Sequence, residues 1–217
     1  MSKDTTEIHV ILDRSGSMYG VVTDIIGGYN KFLAEQKAEK GKATLSLVQF
    51  DDKYEVVHEA EPLSKVPDLN AGTYVPRGTT ALMDAIGRTV SDTSAKYKKT
   101  AKAKRPGKVL FLIMTDGLEN ASIEFSKAKV MDMLKTHEKE HGWKFVFIGA
   151  SLDSLAEAGQ MGMHKGNMLR SNLATGQGVG AAYAAVSSST SAYRGASLHS
   201  AKSADFFPDK DKDNKDA

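Results

Sequence analysis

The stretch Ile8-His9-Val10-Ile11-Leu12-Asp13-Arg14-Ser15-Gly16-Ser17-Met18 decides how the chain is read. An apolar run leads straight into one acid and two hydroxyl residues at alternate positions, Asp13-x-Ser15-x-Ser17. Read as a buried strand, the run delivers these side chains to a loop at its carboxyl end, where open α/β sheets place their ligands. One charge and two neutral oxygens suit a hard divalent cation. Magnesium prefers oxygen ligands in octahedral geometry and retains some of its waters, so the expectation is a magnesium site at the end of the first strand.

Working outward, the expected strand is Glu7 to Leu12, followed by an amphipathic helix from Val21 to Lys40. In that helix Val22, Ile25, Ile26, Tyr29, Phe32 and Leu33 recur in steps of three and four, and Gly41 stands where a left-handed cap is usual. Ala43 to Phe50 and Tyr54 to His58 flank the acidic turn Asp51-Asp52-Lys53, a hairpin signal that predicts one antiparallel pair. Residues 61–78 hold three of the five prolines and two glycines and read as a long loop. A helix over Ala81 to Val90 follows, then a wholly apolar strand, Val109 to Met114, ending in Thr115-Asp116-Gly117-Leu118-Glu119-Asn120. A helix from about Ile123 to Glu140 and a strand from Trp143 to Ile148 continue the alternation. A short helix over Leu152 to Gly162, a short edge strand over Asn167 to Arg170 and a closing helix from Gly178 to Tyr193 complete the pattern. Continuous apolar strands alternating with amphipathic helices predict an α/β fold with a mainly parallel central sheet covered on both faces. Residues 1–195 are expected to form one domain, and the charged segment 196–217 a disordered tail.

Composition narrows the function classes. At 217 residues the chain is long enough for one domain with a sizeable core. Its 41% hydrophobic and 26% charged residues sit near globular averages. A net charge of +2 does not by itself call for nucleic acid. The absence of cysteine excludes disulfides, thiolate metal sites and thiol catalysis. The polar start Met1-Ser2-Lys3-Asp4-Thr5-Thr6-Glu7 is not that of a signal peptide. No apolar run approaches the ~20 residues of a membrane span. The expectation is a soluble, cytoplasmic monomer.

Three polar clusters now stand at comparable places: Asp13/Ser15/Ser17 after the first strand, Thr79/Thr80 at a helix entrance, and Asp116 after the Val109 to Met114 strand. Parallel strands deliver their loops to one sheet edge, so the three can converge on one cation. Asp13-Arg14-Ser15-Gly16-Ser17-Met18, then Gly78-Thr79-Thr80-Ala81-Leu82-Met83-Asp84-Ala85-Ile86, then Ile113-Met114-Thr115-Asp116-Gly117 resembles the von Willebrand factor type A domain with its metal-ion-dependent adhesion site, in order and spacing. The resemblance covers roughly Glu7 to Gly149. It implies a Rossmann-like, doubly wound fold and a divalent ion, magnesium with manganese or calcium as alternatives, held by Asp13, Ser15, Ser17, Thr80 and Asp116. Thr80-Ala81-Leu82-Met83-Asp84-Ala85 matches the family register Thr-Pro-Leu-x-Asp-Ala, which selects Thr80 over Thr79. The implied function is metal-dependent binding of a protein partner that presents Asp or Glu, such as an ATPase or a multi-protein assembly. Arg14, Met18, Tyr19, Tyr74 and Leu118 are expected at the rim.

Two other classes compete. A metal-assisted phosphohydrolase needs a nucleophile or base beside the ion. His9 lies inside a strand, however, and His137 and His141 are four apart on a helix without an HExxH pattern. A haloacid-dehalogenase-like enzyme would carry a second aspartate where this chain has Ser15. Gly176-Gln177-Gly178-Val179-Gly180 lacks the lysine of a phosphate loop and reads as a helix entrance. The protein is therefore read as a non-enzyme. The basic segment 96–108 would suit a nucleic-acid-associated accessory protein, because clustered Lys and Arg release counterions on binding phosphates.

Overall fold

Alternating side-chain faces along β1 (Thr6–Asp13) set the layout. Ile8, Val10 and Leu12 enter one core and Ile11 another. The computed structural model describes residues 5–150, 152–160 and 162–208. Its further strands are β2 (Ala43–Phe50), β3 (Tyr54–Pro62), β4 (Lys108–Thr115), β5 (Lys144–Gly149) and β6 (Met168–Arg170). They form one six-stranded sheet in the order β3-β2-β1-β4-β5-β6. Only the β2–β3 pairing is antiparallel, and every other neighbouring pair is parallel. The expected mainly parallel sheet with one antiparallel strand is thus what the chain forms.

Both faces are covered. Helices α1 (Val22–Ala38) and α5 (Gly176–Gly195) bury Ile25, Tyr29, Phe32, Val179, Tyr183 and Val186 against one face. Helices α2 (Leu82–Lys99) and α3 (Lys127–His141) bury Leu82, Ile86, Val90, Val130 and Leu134 against the other. Between α1 and α5 the approach is close enough that a Cβ on Gly28 would lie 2.2 Å from the Tyr183 ring. Helix α4 (Leu152–Gln160) links β5 to β6. The chain leaves β1 toward β2 and reaches β4 from the opposite face. The order therefore reverses between β1 and β4, and the crevice at their carboxyl ends is the place where such sheets bind ligands.

Several boundaries differ from the sequence expectations. Helix α1 is preceded by a 3-10 segment, Gly16–Val21. Helix α2 runs nine residues past Val90, because Thr93 and Tyr97 continue its buried face. Its last turn holds Lys96, Lys98 and Lys99, where cations favour the helix dipole. Helix α3 starts at Lys127 rather than near Ile123, since residues 118–126 are committed to another task described below. Its end is as expected, with Gly142 in the left-handed conformation at φ 64°. The long loop is partly structured: Leu63–Lys65 forms a 3-10 turn, and Leu63, Val66, Leu69 and Tyr74 are buried.

The disordered tail assigned to 196–217 is corrected over 196–208. Leu198–Ser203 forms α6, and Phe206 and Phe207 are buried. Two lysines at the starts of adjacent strands explain why this part is ordered. Lys108 Nζ donates to the Arg194 carbonyl at 2.6 Å and to that of Ala196, where α5 ends. Lys144 Nζ donates to the carbonyls of Lys202 at 3.2 Å and Ala204 at 2.9 Å, where α6 ends. Residues 209–217, the remainder of the expected tail, and residues 1–4 lie outside the described residues.

Candidate functional site

Asp13 is the last residue of β1 and is wholly buried. Its Oδ1 accepts the Ser15 backbone N–H at 2.6 Å, and its Oδ2 accepts the Thr115 hydroxyl at 2.5 Å. The first bond turns the chain out of the strand. The second ties the end of β1 to the end of β4. From there a line of oxygens runs outward: the Ser15 and Ser17 hydroxyls are 3.0 Å apart, and Ser17 Oγ donates to Asp116 Oδ1 at 2.6 Å. Residues ninety-nine positions apart in sequence thus meet across the β1/β4 crevice.

Thr80 enters from the third side. It is buried, and its hydroxyl faces Gly117, where an added Cβ would come within 3.0 Å of Thr80 Oγ1. Asn120 pins it from both sides: Thr80 N donates to Asn120 Oδ1 at 2.9 Å, and Asn120 N donates to the Thr80 carbonyl at 3.1 Å. Thr79 is exposed. The first and second loops touch where Gly16 N donates to the Gly78 carbonyl at 3.1 Å. Gly78 has φ 67°, and a Cβ there would collide with the Asp52 carboxylate, so the close approach needs glycine.

All five sequence-selected residues therefore come to one crevice. They offer two carboxylates and three hydroxyls, with no nitrogen or sulfur, the donor chemistry of a hard divalent cation. Burial pushes the Asp13 carboxyl up to about 6 and also raises that of Asp116, as expected for two acids drawn toward one low-dielectric point. Among the described residues no cluster of three or more His, Cys, Asp or Glu side chains is poised for a metal. A cation at this crevice would rest mainly on hydroxyls.

The rim differs in part from expectation. Tyr19 and Leu118 are exposed, as expected. Arg14, Met18 and Tyr74 are buried instead. Met18 joins the α1-side core. Tyr74 lies beneath the site and donates its hydroxyl to the Asp13 carbonyl at 2.7 Å. Arg14 turns inward to Asp51 at 3.0 Å and Glu55 at 2.8 Å, and Arg77 reaches the same Asp51 oxygen at 2.8 Å. A guanidinium flanked by two carboxylates gains more there than in water.

Sequence reasoning missed the residues that clamp the second and third loops together. Asp84 accepts the backbone N–H groups of Ile123, Glu124 and Phe125 at 2.8–2.9 Å. Glu119 accepts those of Met83, Ala121 and Ser122 at 2.7–2.9 Å. Asp84 takes the loop's N–H groups, and Glu119 takes two from the loop and that of Met83 in the first turn of α2. Helix α3 begins at Lys127 because Ser126 caps it, its Oγ accepting Lys129 N at 3.3 Å. Asp84 lay within the quoted motif, but sequence alone carried no sign of its partners.

The basic segment 96–108 is partly consumed inside the fold. Lys96 Nζ pairs with Glu7 at 3.2 Å, Arg105 Nε donates to the Thr100 carbonyl at 2.9 Å, and Lys108 holds the end of α5. The Gly176 to Gly180 stretch opens α5 as expected, capped by Thr175 Oγ1, which accepts Gly178 N at 3.2 Å.

A six-stranded sheet of this order, with a crevice at the β1/β4 reversal, is the von Willebrand factor type A fold. One solved structure with this fold is the vWF domain of the type V pili tip protein Mfa5 from Porphyromonas gingivalis. It is 10% identical, with a TM-score of 0.60 over 89% of this chain and 97% of that one. Another is proximal thread matrix protein 1 from the mussel byssus with a zinc-occupied MIDAS motif, 14% identical, TM-score 0.60, covering 86% of this chain and 46% of that one. A third is the manganese-loaded TRAP protein of Plasmodium vivax, 15% identical, TM-score 0.56, covering 80% and 70%. The chain spans less than half the length of the mussel protein. No protein-family model and no curated protein sequence matches the chain, so the likeness is one of fold.

Proposed function

We propose that this chain is a metal-ion-dependent protein-binding module whose divalent cation is held by Asp13, Ser15, Ser17, Thr80 and Asp116. The observation that carries the reading is the hydrogen-bonded chain from the Asp13 carboxylate through the Ser15 N–H, and from the Ser15 hydroxyl through Ser17 to Asp116, with Thr80 facing Gly117 beside it. These residues come from three loops, and nothing in the packing of the sheet requires them to meet. Magnesium suits an all-oxygen set, with manganese or calcium as alternatives. The manganese and zinc named for two similar structures support a divalent ion in this fold.

When bound, the ion supplies positive charge that a partner's carboxylate can ligate. The chain's own residues do the rest. Asp13 and Asp116 hold negative charge at the crevice, Thr115 and Tyr74 fix the position of Asp13, and Asn120 fixes that of Thr80. The partner presents an Asp or Glu, as part of an ATPase or multi-protein assembly, and the module acts in the cytoplasm as a monomer. Among the described residues, these side chains bond to one another, to Thr115 and to backbone groups, and no histidine is among their partners. That supports a binding role over phosphate-ester hydrolysis.

Titration calorimetry with magnesium and manganese tests the reading directly. Asp13→Ala and Thr80→Ala should each weaken cation binding by about tenfold or more, whereas Thr79→Ala should leave it unchanged. Partner capture should fail in EDTA and in Asp13→Ala. Cation affinity equal in Asp13→Ala and the parent would sink the proposal.

A further inference from the structure

Large apolar side chains left in water are unevenly placed on this molecule. Among the described residues six are exposed: Tyr19, Val56, Val75, Leu118, Ile123 and Leu198. Four of the six stand on the three segments that bring the cation residues together, 14–21, 70–81 and 116–126. Tyr19 lies two positions after Ser17, and Leu118 two after Asp116. Val75 adjoins Tyr74, whose hydroxyl bonds to the Asp13 carbonyl, and Ile123 follows Asn120, which holds Thr80. Single apolar residues scattered over a surface need no explanation, whereas a group gathered around a polar site marks a surface that binds.

The backbone that presents these side chains is fixed. Met18 and Val21 of the 3-10 segment are buried, which leaves Tyr19 outside at 77% exposure. Asp84 accepts the N–H groups of Ile123, Glu124 and Phe125, and Ile123 is left pointing into solvent. Leu118 precedes Glu119 and Asn120, both anchored to the start of α2 and the residues before it. A surface held in place beforehand loses little freedom when a partner docks.

The same segments carry almost no spare charge. Arg14 and Arg77 both pair with Asp51 and Glu55. The Glu119 carboxylate is taken up by three backbone N–H groups, and Glu124 pairs with Arg88. What remains is Asp13 and Asp116, the two acids of the proposed cation site. The neighbouring turn between β2 and β3 adds Asp52, whose carboxylate stands against Gly78, and Lys53, of opposite sign. A partner bearing a run of acids would find on these segments one place for a carboxylate and no further positive charge. One acid among apolar side chains would find both of its parts matched.

We infer that the partner presents a single Asp or Glu flanked by large apolar side chains, with the carboxylate at the crevice and its neighbours against Tyr19, Leu118 and Ile123. The place of the carboxylate rests on the proposed cation site; the apolar collar does not. The carboxylate supplies attachment, and the collar selects what surrounds it. Binding of this kind depends little on ionic strength, because salt screens exposed charges and leaves apolar contacts intact.

The test uses the ¹⁵N-labelled full chain with magnesium, followed by NMR, and three synthetic peptides: acetyl-Ser-Leu-Phe-Glu-Leu-Phe-Ser-amide, acetyl-Ser-Ser-Gly-Glu-Gly-Ser-Ser-amide and acetyl-Ser-Glu-Glu-Glu-Glu-Glu-Ser-amide. The first should bind about tenfold more tightly than either of the others, with saturable shifts at Tyr19, Leu118 and Ile123. Its affinity should change less than about threefold between ~0.05 and ~0.5 M sodium chloride. Tyr19→Ser, Leu118→Ser and Ile123→Ser alter exposed side chains, and each should weaken the first peptide about fivefold or more while magnesium affinity and Tm stay at parent values. Leu198→Ser, in α6 beside the strand starts, should change nothing. In EDTA, the first peptide with Gln in place of Glu should still give weak saturable shifts at the same three residues. Equal affinity for the apolar and serine-flanked peptides, tighter binding of the acid-rich one, or no shift at Tyr19, Leu118 and Ile123 would overturn the inference. Loss of all magnesium binding with the EDTA shifts retained would instead overturn the cation site and uphold the collar.

Discussion

A neutral imidazole held inside a sheet makes stability depend on pH with a definite sign. His9 titrates near 6.5 when exposed, but burial lowers it to about 4 in the fold, and the Glu7 carboxylate offsets this only in part. Between these values the unfolded chain binds more protons than the folded one, so the His9 contribution to stability grows as pH rises from about 4 to 6.5. Asp13 acts oppositely over part of the same window, because its raised pKa makes the folded state bind the extra proton. The difference between parent and His9→Phe in urea denaturation, measured from pH 4 to pH 7 without metal, isolates the histidine. The parent should gain stability relative to the variant as pH rises, and a flat difference would show that His9 is not held neutral by burial. The five oxygen-bearing residues were legible at this scale because their types and spacing carry the chemistry. Arg14 was not: an arginine in the loop between Asp13 and Ser15 reads as surface, and only Asp51 and Glu55, far off in sequence, turn it inward.

Among the elements, the segment from Asp116 to Ser126 shows how a loop is made rigid without regular structure. Asp84, near the start of α2, takes three consecutive N–H groups from it, and Phe125 packs so closely on Gly87 that a Cβ there would lie 2.3 Å from its ring. Asp84→Ala strands those donors and should cost roughly 2–4 kcal/mol. Amide exchange over residues 122–126 should accelerate, and cation affinity should fall because the loop that carries Asp116 and Asn120, the residue that holds Thr80, is released. Asp84→Asn retains acceptor oxygen and should do less harm. Exchange rates identical to the parent in Asp84→Ala would refute the clamp. Strand positions were legible because continuous apolar runs admit few alternatives. The start of α3 was misread because the apolar Ile123, at 92% exposure, imitates a helix position that the Asp84 carboxylate has already claimed.

For the whole molecule, residues 196–208 after α5 belong to the folded body. Phe206 lies 6.2 Å from the Tyr193 ring, and Phe206 N and Phe207 N donate to Asn167 Oδ1 and the Gly166 carbonyl. A chain ending at Gly195 would uncover Tyr193 and leave the Lys108 and Lys144 ammonium groups without the carbonyls of residues 196–204. Loss of the two buried phenylalanines alone should cost on the order of 3–6 kcal/mol, readable as a lower Tm and a smaller denaturant midpoint. A chain ending at Pro208 should match the full length. An unchanged Tm on ending at Gly195 would return the boundary to that residue.

By itself, the sequence determined the alternation of buried strands and amphipathic helices, the single antiparallel hairpin and the oxygen-bearing residues that end up at one sheet edge. Each is written in local pattern, in residue type and in spacing. Tertiary structure decided what depends on partners distant along the chain. It drew Arg14 and Tyr74 beneath the site and ordered residues 196–208 on two lysines. It also buried the His9 imidazole. In each case the deciding energy is burial or a hydrogen bond between residues brought together only by the sheet order β3-β2-β1-β4-β5-β6, and no local pattern encodes it.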